Sequence, residues 1–262
     1  MLALISGRGK LPAVLVDSLD ELPFIASLDG FDPDFLIPDM RFQLEHLGTL
    51  IADLKEIGIT EVCFAGSIER PTINPEKIDA ATMPLAPRMK SALEAGDDGA
   101  LKAALMIFEE AGFTIRAADE IAPSLLPRSG EYTARRVDDA HRADAQRAAE
   151  IAAGLGALDV GQSCAVHKGQ TLAIEGQFGT DWMLMSLERR PDEHGGIFFK
   201  AKKPGQDRRI DLPVIGVETV VNVAKAGLEG LVVECDGVMV LDLAAVTRAA
   251  DDLELFLWVR EG

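Results

Sequence analysis

Short apolar runs alternate with amphipathic segments along the first half of the chain. Leu2–Ile5 is an apolar run of strand type, and a glycine turn leads from it into Leu11–Leu19, whose apolar residues have helical spacing. Phe42–Ile57 places its leucines and isoleucines on one helical face and ends at Gly58. The other elements expected in this half are the strands Pro23–Leu28, Glu61–Ala65 and Phe113–Ala117 and the helix Gly99–Ala111. Strands alternating with helices predict a Rossmann-like domain with a parallel sheet.

The pattern changes in the second half. Pro127–Val137 is polar and contains proline and glycine, which is typical of a linker, and Asp138–Leu155 is rich in strong helix formers. The other elements expected here are the strands Gly196–Lys202 and Leu255–Val259 and the helices Val217–Ala226 and Asp242–Leu253. We therefore expect a Rossmann-like domain over residues 1–127, a linker over 128–137, and a mixed α/β domain over 138–262.

Two dipeptides in the second half favour hairpin turns. Lys168-Gly169 and Asp236-Gly237 each separate two short apolar runs, and such dipeptides suit two-residue turns between antiparallel strands. The hairpins expected from them are Gln162–His167 with Leu172–Glu175, and Leu231–Glu234 with Val238–Leu241.

The composition narrows the class of protein. The chain has 262 residues, of which 48% are hydrophobic and 26% charged, which suits folded domains rather than disorder. Its formal net charge of −17 disfavours nucleic acid and bare anionic membrane as partners. No apolar run approaches the roughly 20 residues of a membrane span, Met1 leads directly into a strand rather than a signal sequence, and the three cysteines form no CxxC pair. A cytoplasmic protein with buried, reduced thiols is expected.

Positive charge is concentrated in one segment of this acidic chain. Five of the 26 lysines and arginines fall between Lys200 and Arg209, within the segment Lys200–Gly216, which reads KAKKPGQDRRIDLPVIG. A solvated loop is the simplest interpretation of such a run. However, prolines and glycine give this segment a defined path, and Asp207 and Asp211 lie among the cations. Carboxylates beside lysine and arginine suit a site where Mg²⁺ is held next to phosphate oxygens.

Two glycine turns follow predicted strands. Gly7-Arg8-Gly9 lets the backbone approach a phosphate closely, although Pro12 stands where a full GxGxxG motif has its third glycine, and no Walker sequence follows. Gly66-Ser67 follows another strand, so Ser67 and Arg70 are candidates for contact with a nucleotide or phosphate. Ordinary tight turns explain both segments equally well.

The segment Glu175–Asp181 lies between a predicted strand and a predicted helix. Thr180 or Asp181 suits the helix N-cap, and the alternative is that Asp181, or with less support Glu175, faces the same site as the basic segment. The four histidines show no HxH or HExxH spacing and no GxSxG motif is present, which disfavours a zinc hydrolase or a serine nucleophile.

Several of these segments together resemble a known family. MLALISGRGKLP, AGSIERP, GDD, LDVGQ, GTD, KPGQDRRIDLPVIGVET and AGLEG occur in the order found in LpxI-type UDP-2,3-diacylglucosamine pyrophosphatases, and the likeness covers essentially the whole chain. The resemblance implies hydrolysis of UDP-2,3-diacylglucosamine to UMP and lipid X, an early step of lipid A synthesis. It further implies dependence on Mg²⁺ or another divalent metal such as Mn²⁺, and transient peripheral contact with the cytoplasmic face of the inner membrane. The sequence leaves a homodimer open.

The resemblance also assigns residues to this site. Asp207 and Asp211 are expected as metal ligands or catalytic carboxylates, and Asp181 as a third catalytic carboxylate. Gln177-Phe178 separates Glu175 from the GTD motif, so the likeness is carried over to Asp181 rather than Glu175. The residues expected to bind substrate are, on the nucleotide side, Gly7, Gly9, Ser67 and Arg70, and, around the diphosphate, Gln162, Thr180, Lys203, Gln206, Arg208 and Arg209.

Two other classes of protein fit part of the sequence. A non-catalytic module that binds a UDP-sugar or a lipid would share the anion-binding features without releasing UMP. An NAD-dependent oxidoreductase would use the Rossmann-like half, and Asp29 lies near the position of its ribose-binding acid. The missing third glycine disfavours this second alternative.

Overall fold

In the computed structural model, which describes residues 1–68, 72–94, 97–191, 194–210 and 212–262, a parallel sheet is built from the first half of the chain. Its strands are β1 Leu2–Ser6, β2 Phe24–Leu28, β3 Met40–Phe42, β4 Glu61–Ala65 and β5 Thr114–Ile115. They lie in the order β3-β2-β1-β4-β5, and every pairing is parallel. The predicted parallel α/β architecture of this half is therefore confirmed.

Helices connect these strands. Those in the described residues are α1 Leu11–Asp17, α2 Leu47–Ile57, α3 Ala86–Glu94, α4 Asp97–Glu110 and α5 Ala118–Ile121. Helix α2 ends where Gly58 adopts a φ of 87°, a left-handed conformation that costs glycine little. Leu50 and Leu54 on its apolar face join Ile5 and Phe108 in the hydrophobic core of this half.

The sequence does not predict β3 or α3. Met40–Phe42 pairs with β2, and a short 3-10 turn at Leu44–His46 follows, so the predicted helix Phe42–Ile57 begins only at Leu47. Three residues are too few to produce a recognisable strand pattern, and their pairing depends on a strand that lies elsewhere in the chain.

The second half forms a six-stranded mixed sheet and a small two-stranded one. The strands are β6 Gly130–Glu131, β7 Ser163–His167, β8 Gln170–Ile174, β9 Ile197–Lys200, β10 Val214–Ile215, β11 Gly230–Glu234, β12 Met239–Val240 and β13 Phe256–Arg260. The helices described here are α6 Asp139–Ala157, α7 Gly179–Ser186, α8 Val217–Lys225 and α9 Leu243–Asp252. The larger sheet has the order β6-β13-β11-β9-β7-β8, and β10 pairs with β12.

One of the two predicted hairpins is confirmed. Strands β7 and β8 are antiparallel around Lys168 and Gly169, both of which have positive φ. The second predicted hairpin, around Asp236-Gly237, is wrong, because β11 instead pairs in parallel with β9 and β13, and β12 pairs in parallel with β10. Leu231, Val232 and Val233 are fully buried, as in a central strand of a parallel sheet.

The described chain falls into two compact units. The first comprises Met1–Pro123 and Asp207–Asp211, and the second comprises Ser124–Gln206 and Leu212–Gly262. Residues 128–137, expected as a linker, lie within the second unit, where β6 pairs antiparallel with β13. We call residues 207–210 the crossover segment, since they belong to the first unit although both flanking stretches belong to the second. No helix in the described parts of the chain is long and apolar enough to cross a membrane.

Two glycines of the first unit allow a close approach between loops. A Cβ atom on Gly7 would lie 2.4 Å from the Ser67 carbonyl oxygen, and one on Gly66 would lie 2.5 Å from the Gly7 carbonyl oxygen. Gly66 also has a φ of 94°. The loops after β1 and β4 can therefore touch only because neither glycine has a side chain.

This close contact predicts a stability difference between two glycine substitutions. Gly66→Ala combines a left-handed backbone with a backbone clash, whereas Gly9→Ala, at a φ of 97°, meets no atom within 4 Å. We expect Gly9→Ala to lower the free energy of unfolding by about 1–2 kcal/mol from the backbone alone, and Gly66→Ala to lower it by roughly twice that or more. Urea unfolding midpoints measure both, and equal losses would show that the loop contact contributes nothing.

Candidate functional site

The loops after β1 and β4 form one site in the first unit. The Arg8 amide donates to the Ser67 carbonyl at 2.9 Å, and the Ser67 amide donates back to the Arg8 carbonyl at 2.9 Å. In a sheet of order β3-β2-β1-β4-β5, strand order reverses between β1 and β4, and open α/β sheets bind ligands at the carboxyl ends of the strands at that point. The structure thus brings together the predicted residues Gly7, Gly9 and Ser67.

Arg8 supplies a cation at this edge that the sequence interpretation does not assign. Its guanidinium donates to the Gly30 carbonyl at 2.9 Å and lies over the Phe31 ring, 4.8 Å from the ring centroid. Arg8 is the central residue of Gly7-Arg8-Gly9, so the sequence contains the cation. The prediction assigns only the two glycines because they are the residues that let the backbone approach a phosphate. Helix α1 has only seven residues and Pro12 near its start has no backbone N–H, so its amino terminus offers few amide donors to an anion.

Two predicted site residues, Arg70 and Asp211, lie outside the described residues. Their assigned roles therefore rest on the sequence alone. This includes Asp211 as a metal ligand or catalytic carboxylate.

The crossover segment is tied to the first unit by ion pairs. Arg208 donates to Asp119 at 2.9 Å, and Arg209 donates to Glu109 at 2.6 Å and to Asp207 at 2.7 Å. Hydrogen bonds from the Arg209 side chain hold the pKa of Asp207 below its ordinary value, and Asp207 followed by Glu109 raises the pKa of Arg209. The two arginines predicted to meet a diphosphate are therefore ordered beforehand by carboxylates.

Thr180 is the centre of a buried polar network in the second unit. Its hydroxyl accepts from the Lys200 ammonium at 2.9 Å and donates to Glu175 at 3.2 Å. Glu175 also accepts from the Gln162 backbone amide at 3.1 Å, and Lys200 donates to the Val214 carbonyl at 3.3 Å. Lys200 is only 7% exposed and Glu175 9%, so both charges depend on these partners.

The network explains two features of the sequence. A Cβ atom at Gly161 would lie 2.4 Å from the Glu175 carbonyl oxygen, so the LDVGQ stretch needs glycine there to bring Gln162 against Glu175. Gln177-Phe178 separates Glu175 from the GTD motif, yet Glu175 is a member of the network. Lys200 is thus a functional candidate that the residue assignments do not include, and Glu175 is considered there only as the weaker alternative to Asp181.

Asp181 lies beside this network but is exposed. It accepts from the Asn222 amide at 3.0 Å. The prediction that Thr180 or Asp181 caps the helix is wrong, because Phe178 is the N-cap of α7 and the helix begins at Gly179. The Thr180 hydroxyl is instead occupied by Lys200 and Glu175, which leaves it unable to serve the helix end.

Lys203 and Gln206 also belong to the second unit. The Lys203 ammonium donates to Asp159 at 2.7 Å, and its backbone amide donates to the Gln206 side-chain oxygen at 3.0 Å. The Lys203 side chain is 25% exposed, so its cation is directed toward a carboxylate at the protein surface. The predicted residues therefore divide between the units, with Asp207, Arg208 and Arg209 in the first and the Gln162, Thr180, Asp181, Lys203 and Gln206 set in the second.

The described residues do not by themselves form a metal site. They contain no group of three histidine, cysteine or acidic side chains placed to hold an ion. Both oxygens of Asp207 accept from Arg209, at 3.0 and 2.7 Å. Buried oxygens of Asp119 and Gln162 have no hydrogen-bond partner among the described residues, so oxygen ligands of the kind that Mg²⁺ prefers are available singly rather than as a set.

Two of the three cysteines are buried, as predicted. Burial raises the pKa of the Cys63 and Cys164 thiols to about 12, while Cys235 is half-buried. Thiols of this kind hold no thiolate near neutral pH, so neither buried cysteine has the character of a nucleophile.

The two larger sheets with their helices define a two-unit α/β protein, and the glycine loops and arginines of the first unit have the chemistry to contact an anion. Models of the LpxI N-terminal domain and the LpxI C-terminal domain match residues 1–125 and 128–258. Over 268 aligned residues the chain is 35% identical to the UDP-2,3-diacylglucosamine pyrophosphatase LpxI of Caulobacter vibrioides, covering 98% of this chain and 96% of that protein. The chain belongs to the LpxI family, as the motifs predict.

The buried network predicts that the Thr180 hydroxyl stabilises the second unit. Thr180→Val removes an acceptor from the Lys200 ammonium and a donor from Glu175, and we expect it to lower the free energy of unfolding by about 1–3 kcal/mol. Thr180→Ser keeps the hydroxyl and serves as the control, with a smaller loss. Urea unfolding monitored by circular dichroism measures both variants, and equal losses would mean that the hydroxyl does not carry the effect.

The Asp207–Arg209 pair predicts a pH dependence of stability. Because the pKa of Asp207 is lowered in the folded state, its contribution is fully present above the ordinary value of 3.8 and is lost as the pH falls below it. We expect wild-type protein to lose stability more steeply than Asp207→Asn on acidification below about pH 4. Urea midpoints across this range test the difference. Asp20→Asn, which removes an exposed carboxylate, should follow wild type; identical slopes for Asp207→Asn and wild type would contradict the prediction.

Proposed function

We propose that the chain hydrolyses the pyrophosphate bond of UDP-2,3-diacylglucosamine to UMP and 2,3-diacylglucosamine 1-phosphate, called lipid X, in lipid A synthesis. The observation that carries this proposal is the 35% identity, across 98% of the chain, to a relative named for that activity. The two family models match both halves of the chain. The residues proposed to recognise the substrate and those proposed to act on it therefore all lie within the matched regions.

The arrangement of cations supports a diphosphate substrate. Arg209 is paired with Glu109, and both side chains are more than a third exposed, at 37% and 41%. Exposed ion pairs of this type contribute only about 0–1 kcal/mol, so a diphosphate with several charged oxygens can replace the carboxylate at small cost. The Glu109 carboxylate would then keep the Arg209 guanidinium oriented until substrate binds.

The reaction we propose is attack of water on phosphorus. The new bond joins the water oxygen to phosphorus, the bridging oxygen leaves with the other phosphate, and the water loses its proton to a base. By family resemblance Asp211 orients or deprotonates that water, while Arg208 and Arg209 stabilise charge on the phosphate oxygens.

Metal dependence is part of the proposal. It rests on the family resemblance and on the carboxylates Asp207 and Asp211 in the basic segment. Mg²⁺ is the expected ion, with Mn²⁺ as a substitute, since both accept oxygen ligands. When bound, such an ion supplies positive charge for the phosphate oxygens.

The proposed location follows from the substrate. A diacylated sugar nucleotide stays at a membrane surface, so we propose a cytoplasmic protein that makes transient peripheral contact with the inner membrane. A homodimer stays a prediction from the sequence.

Release of UMP is the direct test. Purified protein incubated with UDP-2,3-diacylglucosamine and Mg²⁺ is expected to release UMP, and EDTA should reduce that release to background, with recovery when Mg²⁺ or Mn²⁺ is added back. Chromatography of UMP measures all three conditions. Release that EDTA does not change would remove the metal from the proposal, and no release under any condition would remove the enzyme.

Variants of Asp211 separate catalysis from binding. Asp211→Ala and the isosteric Asp211→Asn should each lower turnover at least about 100-fold if Asp211 is the general base, while substrate still binds in equilibrium dialysis. Asp252→Asn, an exposed carboxylate at the end of α9, provides the charge-matched control with normal turnover. Near-normal rates for both Asp211 variants would exclude Asp211 from the reaction. Binding without turnover in wild type would favour the UDP-sugar-binding module.

A further inference from the structure

An apolar cavity of about 240 Å³ lies in the first unit. The strand residues that line it come from the carboxyl ends of the strands and include Ile5, Leu28, Phe42 and Phe64, and the helices add residues such as Met89 and Phe108. All of the described residues that line it are apolar. The space is partly open to solvent, and concave, mostly apolar sites of this kind are where proteins ordinarily hold small ligands.

The lining defines the chemistry of that occupant. Smaller engineered cavities of about 150 Å³ lined by leucine, isoleucine and phenylalanine stay dry and bind benzene. Among the residues that the structure describes, none that lines the cavity has a polar side chain to orient a sugar, a base or a phosphate. A saturated hydrocarbon chain satisfies such a surface fully.

The cavity adjoins the loops assigned to the polar part of the ligand. Ile5 is followed by Ser6 and then by Gly7, and Ile68, which also lines the cavity, directly follows Ser67. A molecule that has both a phosphorylated head and a hydrocarbon tail can therefore contact the glycine loops and the cavity at once. The proposed substrate, UDP-2,3-diacylglucosamine, is a molecule of this class.

The crossover segment reaches the same cavity through one residue. Ile210 contributes to the lining, and it directly follows Arg208 and Arg209, whose ion pairs with Asp119 and Glu109 belong to the same unit. A chain in the cavity would press against Ile210 and so bear on the position of both arginines.

We propose that this cavity binds one acyl chain of the substrate, and that Ile210 is a specificity-determining residue that transmits occupancy of the cavity to Arg208 and Arg209. The proposal rests on the proposed function for the identity of the molecule that carries the acyl chain. The affinity of the cavity for hydrocarbon is independent of the proposed function. Because each buried methylene strengthens binding roughly fourfold, the enzyme should discriminate strongly by chain length.

Filling the cavity tests the proposal. Ala104 lines the cavity from α4, and Ala104→Phe should lower the ratio of kcat/KM for didodecanoyl over dibutanoyl UDP-glucosamine at least about tenfold relative to wild type. Ala153→Phe, on an exposed position of α6, is the matched control and should keep the wild-type ratio. Ile210→Ala should lower kcat for the didodecanoyl substrate more than it raises KM, with rescue by Ile210→Val.

A binding measurement separates this inference from the proposed function. Fluorescence of cis-parinaric acid, displaced by dodecanoate, reports hydrocarbon binding without any hydrolysis, and it should be lost in Ala104→Phe and kept in Ala153→Phe. If no substrate yields UMP but parinaric acid binding behaves in this way, the cavity assignment stands and the proposed activity fails. If Ala104→Phe does not fold, Ile73→Phe fills the cavity from a half-buried loop position and gives the same readouts. An unchanged chain-length ratio and unchanged parinaric acid binding in a folded variant would overturn the proposal.

Discussion

Arg209 donates to Asp207 on its own segment and to Glu109 on α4, and this fork holds residues 207–210 within the first unit. The positions of the two neighbouring residues depend on this fork. On one side Arg208 donates to Asp119, and on the other Ile210 lines the apolar cavity. Recognition of phosphate and of hydrocarbon would then depend on one four-residue stretch. Arginine suits this role because its planar guanidinium can bind two carboxylates at once.

Local patterns in the sequence predict much of the fold. Strands such as β1 and β4 have apolar runs that suit a sheet buried on both faces, and α2 has both an apolar face and a glycine that ends it. The Asp236-Gly237 hairpin fails for the converse reason. A turn dipeptide reports only local backbone preference, whereas the partners of β11 are set by burial on both faces against β9 and β13.

The candidate site is predicted only in part, for a related reason. Glycine loops and a cluster of cations are visible in sequence because they are contiguous. The contact between Arg209 and Glu109 joins residues 100 positions apart, and no local pattern encodes it. The buried Lys200–Thr180–Glu175 network was likewise invisible, since lysine in a basic run looks solvated until its strand is known to be central. A buried network of this kind fixes side-chain positions more tightly than apolar packing, provided that all its members are satisfied.

The path of the chain also bears on how the protein is made. The first unit contains residues on both sides of the 83 residues that run from 124 to 206. As the chain leaves the ribosome, the amino-terminal sheet can form early. The ion pairs of Glu109 and Asp119 with the two arginines, and the contact of Ile210 with the cavity, can form only after residues 124–206 have been synthesised. A fragment that stopped at the boundary between the two sequence halves would therefore lack Ile210 in the cavity lining and would leave Glu109 and Asp119 without these arginine partners.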